Sequence, residues 1–326
     1  MDRPPPAVIP SGTPPARRRM PTWLRLPILL CLNLFLTMTL WSYAAPFMGH
    51  ELGAISKVPG QEEFALLTPI PRLAYKIGVI CTGWWLSYDW IDISALTAIT
   101  HMPYVYLLTT YYNISLPTAA AVAINEIVAI AIPTYLLRSR SAVNNPNVPL
   151  RSRYLLNSSQ VNITNILLSI GVYVVVLFSA FKTDQFRSFL VTRFELPTLE
   201  GAYSETIFSL IGKLLPAGVA TKFFLLNPSL GATPTPGDAT PVELFDPKTA
   251  TLSQTLKHNF WFFSRRTRTL IQQTAIASIL LSANTVQRSM SLEGTTLAGA
   301  AGYSGIWILA NIICAGWWTW VGDAEL

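Results

Sequence analysis

Apolar positions in this chain gather into eight long runs, separated by short stretches rich in charge, proline or hydroxyls. They cover Leu24–Phe47, Leu73–Tyr88, Ile93–Tyr112, Pro117–Leu137, Val161–Phe181, Glu205–Asn227, Thr269–Gln287 and Leu297–Val321. A helix of about 20 apolar residues matches the hydrocarbon thickness of a bilayer. It also satisfies its own backbone hydrogen bonds, which lipid cannot do for it. The pattern therefore predicts an all-α fold, a polytopic transmembrane helix bundle of eight spans. The second run is short and carries Lys76 in its first turn. The seventh is the most polar, with Gln272, Gln273 and Asn284 spread along it. No internal repeat relates the two halves.

The flanks organise the rest. Residues 1–22 contain six prolines among the first fifteen positions, followed by Arg17, Arg18 and Arg19. So little apolar surface predicts a disordered tail. The first run reads as an uncleaved helix, because its leader is long and its 24 residues exceed a signal-peptide core. Were it cleaved after Ser42 and Ala44, seven spans would be left. Residues 23–326 then form a single membrane domain, interrupted by a loop at 228–268 that includes the turn-rich stretch Pro234–Pro241.

Composition agrees with this. Charged residues make up 12% of the chain and hydrophobic ones 51%, against about 25% charged in soluble domains. The net charge of +6 is a topology signal rather than a nucleic-acid footprint. With eight spans and a cytoplasmic N-terminus, 14 of the 23 basic residues fall on the cytoplasmic side and six on the other. That bias places both termini in the cytoplasm, with the endoplasmic reticulum as the default compartment. Of three glycosylation sequons, at Asn113, Asn157 and Asn162, only Asn113 falls outside, too close to the membrane to be used. Cys31, Cys81 and Cys314 sit in apolar runs with no metal-ligand spacing, so they read as small buried side chains. No motif calls for a cofactor or a metal.

Glu126 is the outstanding polar residue, near the middle of the apolar run Leu116–Leu137 beside Asn125. A carboxylate at that depth costs roughly 2.5–3.5 kcal/mol on insertion scales, so it should face the bundle interior. Ala119, Ala123, Ala129 and Pro133 share its helix face, and small residues permit close helix contact. Helical rise puts Glu126, Lys213 and His101 at about 14, 12 and 16 Å below the outer surface. Two arrangements follow. Glu126 and Lys213 form an ion pair with His101 bonded to a carbonyl, or the three line a polar pocket in which Glu126 is a catalytic acid. Asp89 and Asp92, three apart at the end of the second span, are further candidate acids, or solvated loop residues. Tyr104, one turn beyond His101, is a candidate for stabilising a cation. The other clustered aromatics read as an interfacial belt, and Gly299, Gly302 and Gly305 as a packing face.

Three stretches carry a resemblance: Ser42-Tyr-Ala-Ala-Pro-Phe, Arg151-Ser-Arg-Tyr-Leu-Leu-Asn-Ser-Ser-Gln, and Phe189-Leu-Val-Thr-Arg-Phe-Glu-Leu-Pro-Thr-Leu-Glu-Gly-Ala-Tyr. They resemble polytopic membrane proteins of filamentous fungi that accompany terpenoid and indole-diterpene biosynthesis. The resemblance implies a membrane-bound terpene cyclase acting on a lipophilic prenyl substrate, open-chain or epoxidised, or a partner of other membrane-bound pathway enzymes. No acid of those cyclases aligns residue by residue here, so Glu126, Asp89 and Asp92 are nominated on physical grounds alone. A proton-coupled transporter and a non-catalytic scaffold are the alternatives.

Overall fold

The computed structural model describes residues 21–57, 69–150, 152–194, 200–232, 251, 252, 255 and 263–323. The expected tail and most of the 228–268 loop lie outside these residues. Each of the eight apolar runs forms a helix. With the shorter helices between them, the described elements in order are α1 (Thr22–Ile55), α2 (Pro69–Trp85), α3 (Trp90–Tyr111), α4 (Leu116–Leu137), α5 (Arg153–Asn157), α6 (Ser159–Lys182), α7 (Asp184–Phe194), α8 (Glu200–Ser204) and α9 (Ile207–Thr221). A π-helical turn, Lys222–Leu226, carries α9 on into α10 (Asn227–Gly231). Two long helices complete the bundle, α11 (Arg265–Ser289) and α12 (Leu297–Asp323). Among the described residues there is one isolated β-bridge, Ser56 to Leu292, which pins the end of α1 to the α11–α12 turn.

Five of these helices are long and apolar enough to cross a membrane by length and composition: α1, α4, α6, the α9–α10 rod and α12. Their outward surfaces are compatible with contact to lipid. Phe35, Phe47, Phe208 and Trp320 are each at least two-thirds exposed, and large exposed apolar patches mark interaction or membrane surfaces. The other three, α2, α3 and α11, occupy different positions. Helix α3 is the hub: 17 of its 22 residues are buried, and it packs against α4, α9 and α11. A helix shielded by its neighbours can carry hydroxyls, an imidazole and Pro103 without exposing them to lipid. Polar α11 is sheltered on one face, where Gln273, Asn284 and Thr285 are buried and Asn284 donates to the Thr100 carbonyl of the hub.

Local chemistry explains the element ends. Asp89 is the N-cap of α3 and accepts from the backbone N–H of Ile91 and Asp92, while the Asp92 side chain accepts from the Asp89 N–H. Such a reciprocal capping box contributes about 1 kcal/mol. Asp89 and Asp92 are therefore buried structural residues, not solvated ones. Arg138, just past α4, donates to the carbonyls of Gly83 (2.9 Å) and Trp84 (3.0 Å) at the end of α2. A cation there meets carbonyls that have no intrahelical donor. Arg153 ties the α4–α5 loop together through the carbonyls of Ala142, Val143, Asn145 and Val148. Asn113 takes a left-handed φ of 51° in the short α3–α4 turn, which asparagine tolerates.

Several expectations need correction. Tyr104, Tyr106, Tyr111 and Tyr112 are buried in the core rather than forming an interfacial belt, whereas Trp85, Trp317 and Trp320 are exposed as a belt requires. A third cation within the apolar runs, Lys222, is buried and donates to Asn162 Oδ1 at 2.6 Å. Cys31 is exposed while Cys314 is buried. Gly299 and Gly302 make close contacts with α7, but Gly305 has open space beside it.

Gly218 on α9 sets the closest approach to α6, since a Cβ there would lie 2.4 Å from Ile170 Cγ1 and 3.0 Å from its backbone nitrogen. Gly212, two turns earlier, has nothing within 4 Å. Gly218→Ala should destabilise by about 1–3 kcal/mol. Gly212→Ala should leave stability unchanged or improve it by up to about 1 kcal/mol. Thermal unfolding of the two variants in detergent checks the contrast.

Candidate functional site

Glu126 faces inward and is 8% exposed, as its small-residue face predicts. Its partners differ from those expected. Oε2 pairs with Lys76 at 2.9 Å and Oε1 with Arg288 at 3.0 Å. Lys213 lies in a different centre, on Glu205 of the same chain segment and Thr110 of α3. The expected Glu126–Lys213 pair does not form. Equal depth is necessary for two bundle residues to meet, but their helices must also share a side of the hub. Helix α4 packs on α1 and α3, whereas α9 packs on α3 and α6.

The Glu126 centre draws on five helices. Lys76 of α2 also donates to Thr37 of α1 at 3.0 Å. Arg288 of α11 donates through Nε to Asn284 Oδ1 at 3.2 Å, and its guanidinium lies 5.6 Å from the centre of the Tyr104 ring. Asn284 donates in turn to the carbonyl of Thr100 on α3 at 2.7 Å. Tyr104 is thus brought to the site, as the aromatic face under Arg288. A carboxylate taken from water is costly unless both its oxygens are met, and here both are.

A narrow cleft, open on one side and with room inside for about one water-sized group, lies beside this network. Asn33 from α1, Tyr75 and Lys76 from α2, Thr97 and His101 from α3, and Glu126 from α4 line it. His101 is 3% exposed, and its Nδ1 lies 2.7 Å from the Thr97 carbonyl. A carbonyl only accepts, so Nδ1 carries the proton and Nε2 of the neutral ring is an acceptor. His101 is thus bonded to a carbonyl and shares the cleft with Glu126. Asn125, next in sequence to Glu126, does not line the cleft.

The remaining nominees lie elsewhere. Asp92 is about 14 Å along α3 from His101. Asp89 receives Ser141 N–H at 3.0 Å and the Asn144 amide at 2.9 Å, and the same amide reaches Asp92 Oδ1 at 3.0 Å. The pair binds the α4–α5 loop to the start of α3. At this end of the bundle, outside the five apolar spans, burial and then the neighbouring Asp89 charge push the Asp92 carboxyl up to about 7. A second polar centre sits on the far side of the hub. There Lys213, Glu205 and Thr110 adjoin the packed rings of Tyr106, Tyr111, Phe181 and Trp307.

Sequence reasoning missed Lys76 and Arg288 as the partners of Glu126. Lys76 was visible as a cation inside a span. Arg288 falls one residue beyond the apolar run that ends at Gln287, so hydropathy leaves it outside the helix. Its spacing of four from Asn284 was the available signal, since residues four apart share a helix face. Comparison with protein-family models, with curated proteins and with solved structures finds no match to the chain.

Two outcomes are expected. Glu126→Gln leaves Lys76 and Arg288, which are 20% and 15% exposed, without a counter-ion. Stability should fall toward the lower end of roughly 3–5 kcal/mol, because both cations retain some contact with the outside. A thermal midpoint equal to wild type would show the network to be unimportant. For Asp92, the folded carboxyl holds its proton more tightly than the unfolded one. Its contribution is full below the ordinary carboxylate range and lost as pH rises through about 7. The midpoint should therefore decline between about pH 4 and about pH 7, and Asp92→Asn should flatten that decline.

Proposed function

We propose that this chain is a membrane-bound cyclase of terpenoid type that takes a lipophilic prenyl substrate from the bilayer and closes its rings by acid assistance. The reading includes eight membrane crossings with both ends cytoplasmic, in the endoplasmic reticulum. The distribution of basic residues and the eight helices in their expected order support it. The observation that carries the functional part is the cleft, where a charged network inside an apolar bundle borders a space that opens to the outside. Such a cleft suits the oxygen-bearing end of a long apolar molecule, whose tail stays among lipid-facing and aromatic side chains.

The roles differ from those nominated on sequence grounds. Both Glu126 oxygens are held by cations, so Glu126 serves as the counter-ion. Lys76 lines the cleft and has three N–H groups, two of them directed at Glu126 and Thr37. In the proposed reaction Lys76 donates to an epoxide oxygen as the C–O bond opens and the first ring bond forms. Glu126 and Arg288 hold the charge balance as that proton moves. The proton returns when the last carbocation is quenched, and the net change is an isomerisation.

Lys76→Met keeps the Glu126–Arg288 pair and removes the donor. A deletion strain should accumulate an open-chain or epoxidised prenyl compound, which the intact gene clears. The Lys76→Met variant, expressed at normal level, should form product at least about 100-fold more slowly. An unchanged metabolite profile in the deletion strain, or full complementation by the variant, overturns the cyclase reading.

A further inference from the structure

The cleft contains two buried acceptors whose identity is fixed by the backbone. Asn33 is 4% exposed and donates through Nδ2 to the Ala129 carbonyl at 2.8 Å. Because that carbonyl must be met by the amide nitrogen, the other amide atom is the oxygen, Oδ1. His101 Nδ1 is committed in the same way to the Thr97 carbonyl, which leaves Nε2 as the acceptor. Neither Asn33 Oδ1 nor His101 Nε2 has a hydrogen-bond partner among the described residues. Both residues line the one cleft, and they approach it from two helices, α1 and α3. Buried acceptors without a donor cost free energy, so each calls for an incoming N–H or O–H.

A ligand that only accepts would meet Lys76 but would leave both of these atoms unsatisfied. An ammonium group would satisfy them but would stand beside Lys76, with Arg288 just behind. A hydroxyl meets Lys76 and one of the two acceptors. It accepts from Lys76 and donates to Asn33 Oδ1 or to His101 Nε2, and its apolar carrier excludes water from the cleft. We propose that this cleft is a recognition site for the free hydroxyl of a lipophilic alcohol, received by Asn33 Oδ1 or His101 Nε2 as the acceptor and by Lys76 as donor. The inference rests on the proposed lipophile-binding reading and specifies its ligand class. In that reading the alcohol is the group that epoxide opening creates, so the cleft complements the opened form better than the closed one.

The test compares binding of geranylgeraniol and of its methyl ether to the full chain in lipid nanodiscs, followed by quenching of intrinsic tryptophan fluorescence. The two probes share the same tail and differ only in the hydroxyl hydrogen and one methyl group. Wild type should bind the alcohol at least about tenfold more tightly, because the ether leaves the acceptors unmet. Asn33→Leu or His101→Phe, whichever removes the acceptor in use, should reduce that preference, and both should change ether affinity by less than about twofold. Equal affinity of wild type for alcohol and ether overturns the hydroxyl assignment but leaves lipophile binding standing. A preference that survives in both variants overturns the assignment too, by placing the discrimination at other residues. Binding of neither compound overturns this inference together with the reading on which it rests.

Discussion

A carboxylate inside an apolar bundle has to be neutralised from within, and that requirement at Glu126 organises one half of this molecule. The charge cannot be met by lipid, and its own helix offers no cation and, besides Asn125, only alanine, valine and isoleucine around it. Lys76 and Arg288 must therefore come from other helices, and each brings a further contact with it. Lys76 engages Thr37 on α1, while Arg288 engages Asn284 and the Tyr104 ring. Five helices are fixed relative to one another by these few polar contacts. In a medium where apolar burial does not drive helices together, such contacts and close packing set the arrangement.

The hub helix α3 separates this network from the second one, where Lys213 meets Glu205 and Thr110 beside stacked aromatic rings. Both centres draw on residues of α3, and neither leaves its carboxylate without a cation. Both also hold a buried acceptor without a partner, Glu205 Oε2 in the second centre. They differ in access: the Glu126 centre borders an open cleft, while the Glu205 centre adjoins rings that are wholly buried. That contrast is why ligand recognition is assigned to the former.

Burial also gives the nominated acids unequal roles. Asp89 and Asp92 look alike to Glu126 in a sequence, as carboxylates at the edge of an apolar run. In the fold they close the first turn of α3 and hold the Asn144 loop, with their oxygens committed to backbone N–H groups and an amide. Their work is to start the hub helix at the right residue, which in turn fixes the depth of His101 and Tyr104.

Hydropathy by itself determined where the helices run, because a long apolar stretch in this setting can satisfy its backbone in no other way. The inward orientation of Glu126 was equally legible, since small residues at its helical offsets mark the side where another helix comes close. The bond from His101 to a carbonyl was also within reach, as the Thr97 carbonyl lies one turn behind it. What the chain could not disclose was the order of helices around α3. Depth follows from counting residues at a fixed rise, but azimuth depends on which faces interlock, and that is decided by packing among all the helices at once. So Lys213 went to Glu205 and to Thr110 near the end of α3, and Arg288, one residue past the seventh apolar run, became the partner of Glu126. Which buried atoms are left without a partner is likewise a property of the assembled bundle, since only there is every donor matched or unmatched with an acceptor.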